Sequence, residues 1–220
     1  MSQEMHTRST PQFGGPFPHL TAAERQRLLL QTEDALSSES DLWVFAYGSL
    51  LWRPCFVVAQ RLAARAPAHA ARLCIWTVEA RGTPAVPGLG LGLERDPNGT
   101  CDGAILRVAD GDRRAALSAL WEREMLTGIY SPTLLNVHTN AEQVVRALAF
   151  VVQPKHPQYA GRHSLAAQAR WIGAANGKLG SCTAYLRQTV QALHESGLSA
   201  PELESVLACI DASDSAITRS

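Results

Sequence analysis

The chain has 220 residues, 46% of them hydrophobic, enough for one sizeable globular core with some tail. Twenty basic residues balance twenty acidic ones, so composition points to neither nucleic acid nor an anionic membrane as a partner. No run reaches the roughly 18 apolar residues of a membrane helix, and five cysteines without a CxxC pair make no disulfide framework.

Residues 1–20 are polar, rich in Ser, Thr, Gln, Pro and Gly, and lack an apolar signal-peptide core, so they read as a disordered or loosely held arm. With the unpaired cysteines, that makes a cytoplasmic location the expectation. Thr21 and Glu24 form a capping box that starts a helix to about Leu36, an extension covering residues 21–40. The main domain is expected over residues 41–212, with a frayed tail at 213–220.

Trp43 to Tyr47 is apolar or aromatic almost without break, as in a strand buried on both faces. It runs into Gly48-Ser49, where backbone N–H groups at the end of a strand can cradle a carboxylate or an oxyanion. An irregular segment follows Pro54, then a strand at about 70–78 and a Pro/Gly-shaped loop from Arg81 to Gly88. Gly88, Gly90 and Gly92 alternate with leucines, which gives a strand with one bare face and implies close packing there. The alternation lacks the spacing of a dinucleotide-binding glycine motif.

Asp96-Pro97-Asn98-Gly99 reads as a turn into a strand at 101–108. A helix over about 112–126 ends at Gly128. A hairpin joins 134–139 to 144–153, Pro154 to Pro157 breaks it, and helices follow at 164–175, 181–196 and 201–212. Strands first and helices last give an α+β class.

The helix at 112–126 holds an anomaly. Leu117, Leu120, Trp121 and Met125 mark its buried stripe, and at about 100° per residue Glu124 falls on the same side. Glu122 falls on the wet side. An inward carboxylate at a helix C-terminus has a raised pKa and suits acid–base work near neutral pH. The residues alone leave a second reading open, a structural ion pair with Arg81 or Arg107.

Val44-Phe45-Ala46-Tyr47-Gly48-Ser49-Leu50-Leu51-Trp52, then Arg81-Gly82-Thr83-Pro84 with Pro87-Gly88, then Arg123-Glu124 with Gly128-Ile129-Tyr130, resemble the ChaC family. That family is the glutathione-specific branch of the γ-glutamylcyclotransferases. The likeness runs from about residue 40 to 210 and includes Tyr159-Ala160-Gly161 and the helix of Trp171. It implies a compact β-barrel-centred core with flanking helices. It also implies cleavage of glutathione to 5-oxoproline and Cys-Gly with no cofactor, metal or obligate protein partner.

On this resemblance Glu124 is the catalytic acid–base, and Val44, Phe45, Ala46, Tyr47, Gly48, Ser49 and Leu50 form the substrate-binding loop. Arg81 and Tyr130 fall on pocket-lining positions. The chain departs from many relatives at Ala46, where they carry Gly and where a methyl would crowd the pocket. Loops 53–69 and 154–163 are expected to shape the leaving-group side.

Other readings compete. Cys55, Cys74 or Cys101 with a histidine would make a thiol hydrolase, and His156 with His163 a weak metal pair, although both histidines read as solvated. A cyclotransferase for other γ-glutamyl amides is a close alternative. A catalytically silent γ-glutamyl binder, stabilised by ligand without forming product, is a more distant one.

Overall fold

A computed structural model describes residues 11–217. The capping box forms as expected: the Thr21 amide donates to Glu24 Oε2 at 2.8 Å, and the Glu24 amide donates to Thr21 Oγ1 at 3.2 Å. It opens helix α1, Ala22–Ala35. Strand β1, Trp43–Ala46, is followed by a single 3-10 turn, Ser49–Leu51.

Strands β2, Val58–Thr77, and β3, Gly88–Val108, are long and pair antiparallel from Val58 opposite Val108 to Thr77 opposite Gly88. Helix α2, Arg113–Glu124, leads into strands β4, Tyr130–Thr139, and β5, Val144–Val152. Helix α3, Leu165–Ala174, is followed by the two-residue strands β6, Asn176–Gly177, and β7, Gly180–Ser181, then α4, Cys182–Glu195, and α5, Pro201–Ile217. The five longer strands close a barrel in the order β1-β3-β2-β4-β5, sealed by the parallel contact of Val44 with Leu148. Phe45, Leu89, Leu93, Ile105, Leu106 and Leu148 are fully buried within the core.

Two expectations about the strands need correction. Residues 58–69, expected to be irregular, lie in β2. Their alanines and Pro67 have poor strand propensity, but pairing with β3 overrides it, and the ladder absorbs Pro67 at a register shift beside Ala68, whose φ is 56°. Asp96–Gly99 does not divide two strands. It bulges outward within continuous β3, between the pairs His69–Arg95 and Pro67–Thr100.

The arm is corrected in part as well. Residues 1–10 lie outside the described region, but residues 11–20 are held in place. The Phe13 amide donates to Pro84 O at 2.9 Å and the Leu20 amide to Leu126 O at 2.7 Å. Phe17 is buried, and the Phe13 ring sits 5.8 Å from that of Trp76. At the other terminus α5 extends past residue 212, and residues 218–220 lie outside the description.

The bare glycine face is most tightly packed by side chains at Gly92. A Cβ on Gly92 would come within 2.4 Å of Val152 Cγ2, whereas one on Gly90 would meet nothing closer than 3.7 Å. Gly103 is more constrained, because its Cβ would lie 2.4 Å from the backbone oxygen of Ala46 across the β1–β3 ladder. Gly103→Ala should therefore destabilise the protein by about 1–3 kcal/mol, the cost of overpacking a rigid neighbour, while Gly90→Ala changes stability little. Thermal melts of the two variants check this; equal melting temperatures would contradict it.

Candidate active site

The pocket forms where β1 ends. Side chains alternate along a strand, so Phe45 and Tyr47 face the pocket while Val44 and Ala46 do not. Val44 and Ala46 are fully buried in the barrel wall opposite Leu106 and Ala104, so the Ala46 methyl crowds nothing in the pocket. Gly48, Ser49 and Leu50 continue the rim. The 3-10 turn closes when the Leu51 amide donates to Gly48 O at 2.9 Å, which leaves the first amides of the turn outside its own hydrogen bonding. A Cβ on Gly48 would project toward Leu91 and the Tyr185 hydroxyl, at 3.7 and 3.8 Å.

Glu124, the last residue of α2, reaches the same pocket, while Glu122 is exposed. The helix turns inward because Leu117, Leu120, Trp121 and Met125 are buried beneath it. Glu124's side chain retains 15% exposure, and burial pushes its carboxyl above the usual carboxylate range. The neighbouring Arg123 opposes that shift, with Nε 3.0 Å from Glu124 Oε1. Arg123 also donates to Ser49 Oγ at 2.6 Å and to the Arg53 carbonyl, tying the carboxylate to the loop.

Neither anticipated ion pair forms. Arg107 binds Asp41 and Asp110, at 3.2 and 2.7 Å, and Arg81 donates to the Leu179 carbonyl.

Three tyrosines complete the pocket. Tyr47 donates to Phe150 O at 3.1 Å and Tyr130 to Leu91 O at 3.4 Å, while Tyr185 accepts from the Leu91 amide at 3.4 Å. Burial pushes all three phenols up, Tyr185 to about 12, so they stay neutral, and Glu124, whose carboxyl burial raises, is the carboxylate lining this pocket. Tyr185, Leu91 and Phe150 escaped sequence reading. Leu91 lies on the leucine face of an obvious strand, but nothing in the sequence shows that α4 brings Tyr185 over the end of β1.

The pocket itself measures about 50 Å³ and opens into a cleft of about 720 Å³ that shares Ser49, Leu91, Glu124, Tyr130 and Tyr185 with it. Arg81 lines this cleft rather than the inner pocket. Of the two loops expected to shape this side, 53–69 supplies Arg53, Pro54 and Cys55 and 154–163 supplies Gln158.

His156 and His163 are not simply solvated. Both are half-buried, within 2.8 Å of Thr127 O and 2.7 Å of Ala160 O respectively, and His163 packs edge-on against Trp171. Among the described residues no cluster of His, Cys, Asp or Glu could hold a metal ion, and no helix is long and apolar enough to cross a membrane.

Comparison with known proteins places this architecture. A curated Escherichia coli protein named glutathione-specific γ-glutamylcyclotransferase is 30% identical over 86% of this chain and 81% of its own length. A human protein named glutathione-specific γ-glutamylcyclotransferase 1 is 30% identical over 78% of each chain. The fold matches a crystal structure from yeast, described as a γ-glutamyl cyclotransferase specific to glutathione, with a TM-score of 0.71. That match covers 79% of this chain and 96% of the yeast chain at 19% identity. The family model of ChaC-like proteins matches residues 42–213, and the chain belongs to that family.

Proposed function

We propose that the protein is a γ-glutamylcyclotransferase that cleaves glutathione to 5-oxoproline and Cys-Gly. The observation that carries this reading is the placement of Glu124. It is an inward, proton-poised carboxylate beside the Tyr47–Leu50 loop, in a pocket whose other titratable groups stay neutral. The names of the relatives supply the substrate class, and the chemistry explains why so few groups suffice.

A γ-glutamyl amide contains its own nucleophile. When the substrate is folded so that the α-amine approaches the γ-carbonyl, ring closure gains the high effective molarity of an intramolecular reaction. Ionised Glu124 takes a proton from the α-ammonium, and the freed nitrogen attacks the γ-carbonyl carbon. Glu124 then delivers that proton to the departing amide nitrogen, and the carbon–nitrogen bond to Cys-Gly breaks. Ionised again, Glu124 takes the second proton from the attacking nitrogen, passing it on to the amine of released Cys-Gly. No water is consumed, and the lactam remains. Amides of the Gly48–Leu50 turn hold either the α-carboxylate or the oxyanion.

In a mass-spectrometric assay with glutathione and γ-glutamyl-alanine, 5-oxoproline and Cys-Gly should form from glutathione. Glu124→Gln should lower the rate by at least about a hundredfold, the scale of general acid–base catalysis, without loss of folding, and Glu122→Gln should change it little. Comparable losses in both variants would remove Glu124 from its role. Turnover of γ-glutamyl-alanine as well would mark a broader cyclotransferase, and thermal stabilisation without product would mark a binder.

The base must be ionised, so kcat/KM should fall as pH drops through the raised pKa of Glu124. Arg123 holds that pKa down, so Arg123→Met should move the acid limb to higher pH. A limb that stays in place or moves to lower pH would show that this ion pair does not set it.

The thiol-hydrolase reading needs an activated thiolate. Burial instead pushes the thiols up, Cys101 to about 12 and Cys182 to about 11, with Cys55 and Cys74 also raised. At neutral pH iodoacetamide should modify Cys55 no faster than free cysteine, and Cys74, Cys101 and Cys182 only after unfolding. A thiol that reacts faster than free cysteine, with loss of turnover, would revive that rival.

A further inference from the structure

Resting on the cyclotransferase reading, we propose that residues 11–20 and the chain around Arg53 wall the leaving-group subsite, where His19 and Arg53 hold the terminal carboxylate of Cys-Gly. The inner pocket, about 50 Å³, has room only for the end of the substrate that cyclises, so the departing dipeptide must extend into the 720 Å³ cleft. Apolar walls there come from Phe17, Trp76 and Ile129.

The cleft's charges are unevenly committed. Arg123 is bound to Glu124, Ser49 and the Arg53 carbonyl. Arg81 donates to the Leu179 carbonyl and lies over the Tyr185 ring, 5.6 Å from its centroid. Glu79 is paired with Lys178 at 3.0 Å. That leaves the side chains of His19 and Arg53, both exposed and lining the cleft, without a hydrogen-bond or ion-pair partner among the described residues.

Both are anchored at the C-terminal end of α2. The Leu20 amide, next to His19, donates to Leu126 O at 2.7 Å, and the Arg53 carbonyl accepts from Arg123. A planar guanidinium and an imidazole N–H are suited to a carboxylate, and glutathione carries one at the end of its leaving group. Residues 11–20 lie outside the 42–213 family match, so this part of the wall comes from residues that precede the matched family core.

Steady-state kinetics on glutathione and on its glycine ethyl ester, which lacks that carboxylate charge, test the subsite. Wild type should show a higher KM for the ester. Arg53→Gln should raise KM for glutathione about tenfold and His19→Gln about threefold, with kcat within about twofold, the pattern of lost binding rather than lost chemistry. The same variants should leave KM for the ester unmoved, and Arg53→Lys should restore part of the loss. Equal shifts for acid and ester, or none, would overturn the subsite while leaving the cyclotransferase reading intact. No 5-oxoproline from either substrate with wild type would overturn both.

Discussion

The antiparallel ladder between β2 and β3 is the constraint on which the rest of the molecule depends. It runs the whole length of two exceptionally long strands with three register shifts, irregularities of the kind that bend a sheet, and the sheet closes where β5 meets β1. Closure removes the exposed sheet edge and fixes where β1 ends. Once β1 ends beside Leu91 and Tyr130, the Gly48–Leu50 turn has one place to go, and α2 delivers Glu124 to the same spot.

Within that frame the site is governed by two opposing influences on one carboxylate. Burial makes ionised Glu124 costly and raises its pKa, while the neighbouring Arg123 makes ionisation cheaper. Arg123 also binds the Ser49 hydroxyl and the Arg53 carbonyl, so the group that moderates the acidity of Glu124 also fixes its distance from the loop. Electrostatic tuning and positioning thus come from a single side chain, and the surrounding tyrosines, held neutral by burial, add no competing base.

The division into a small inner pocket and a wide outer cleft suits a substrate that carries its own nucleophile. The inner pocket has only to hold one end of the molecule in a cyclising conformation, which needs close walls and little chemistry. The outer cleft, lined partly by residues before the family core, has room for a dipeptide and presents the uncommitted side chains of Arg53 and His19 to it. Conversion and discrimination can then be adjusted by different parts of the chain.

Much of this was legible in the sequence because it is local. The capping box of α1, the glycine turn after an apolar strand, and the misplaced acid among Leu117, Leu120, Trp121 and Met125 are all patterns over a few residues, set by hydrogen-bonding and helical geometry. The α+β class and barrel core were legible too, the latter through family motifs rather than periodicity. Tertiary pairing decided what local chemistry misreports. Residues 58–69 are strand only because β3 lies beside them, and Asp96–Gly99 is a bulge rather than a break because the ladder resumes on either side of it. It also decided Glu124's partner, since its neighbour Arg123 folds back onto it while Arg107 and Arg81 bind elsewhere. Finally, it brought Tyr185 and Phe17, far apart along the chain, to the pocket and its cleft. Such contacts join residues with no mutual signal in sequence, because only the closed barrel fixes the distance between them.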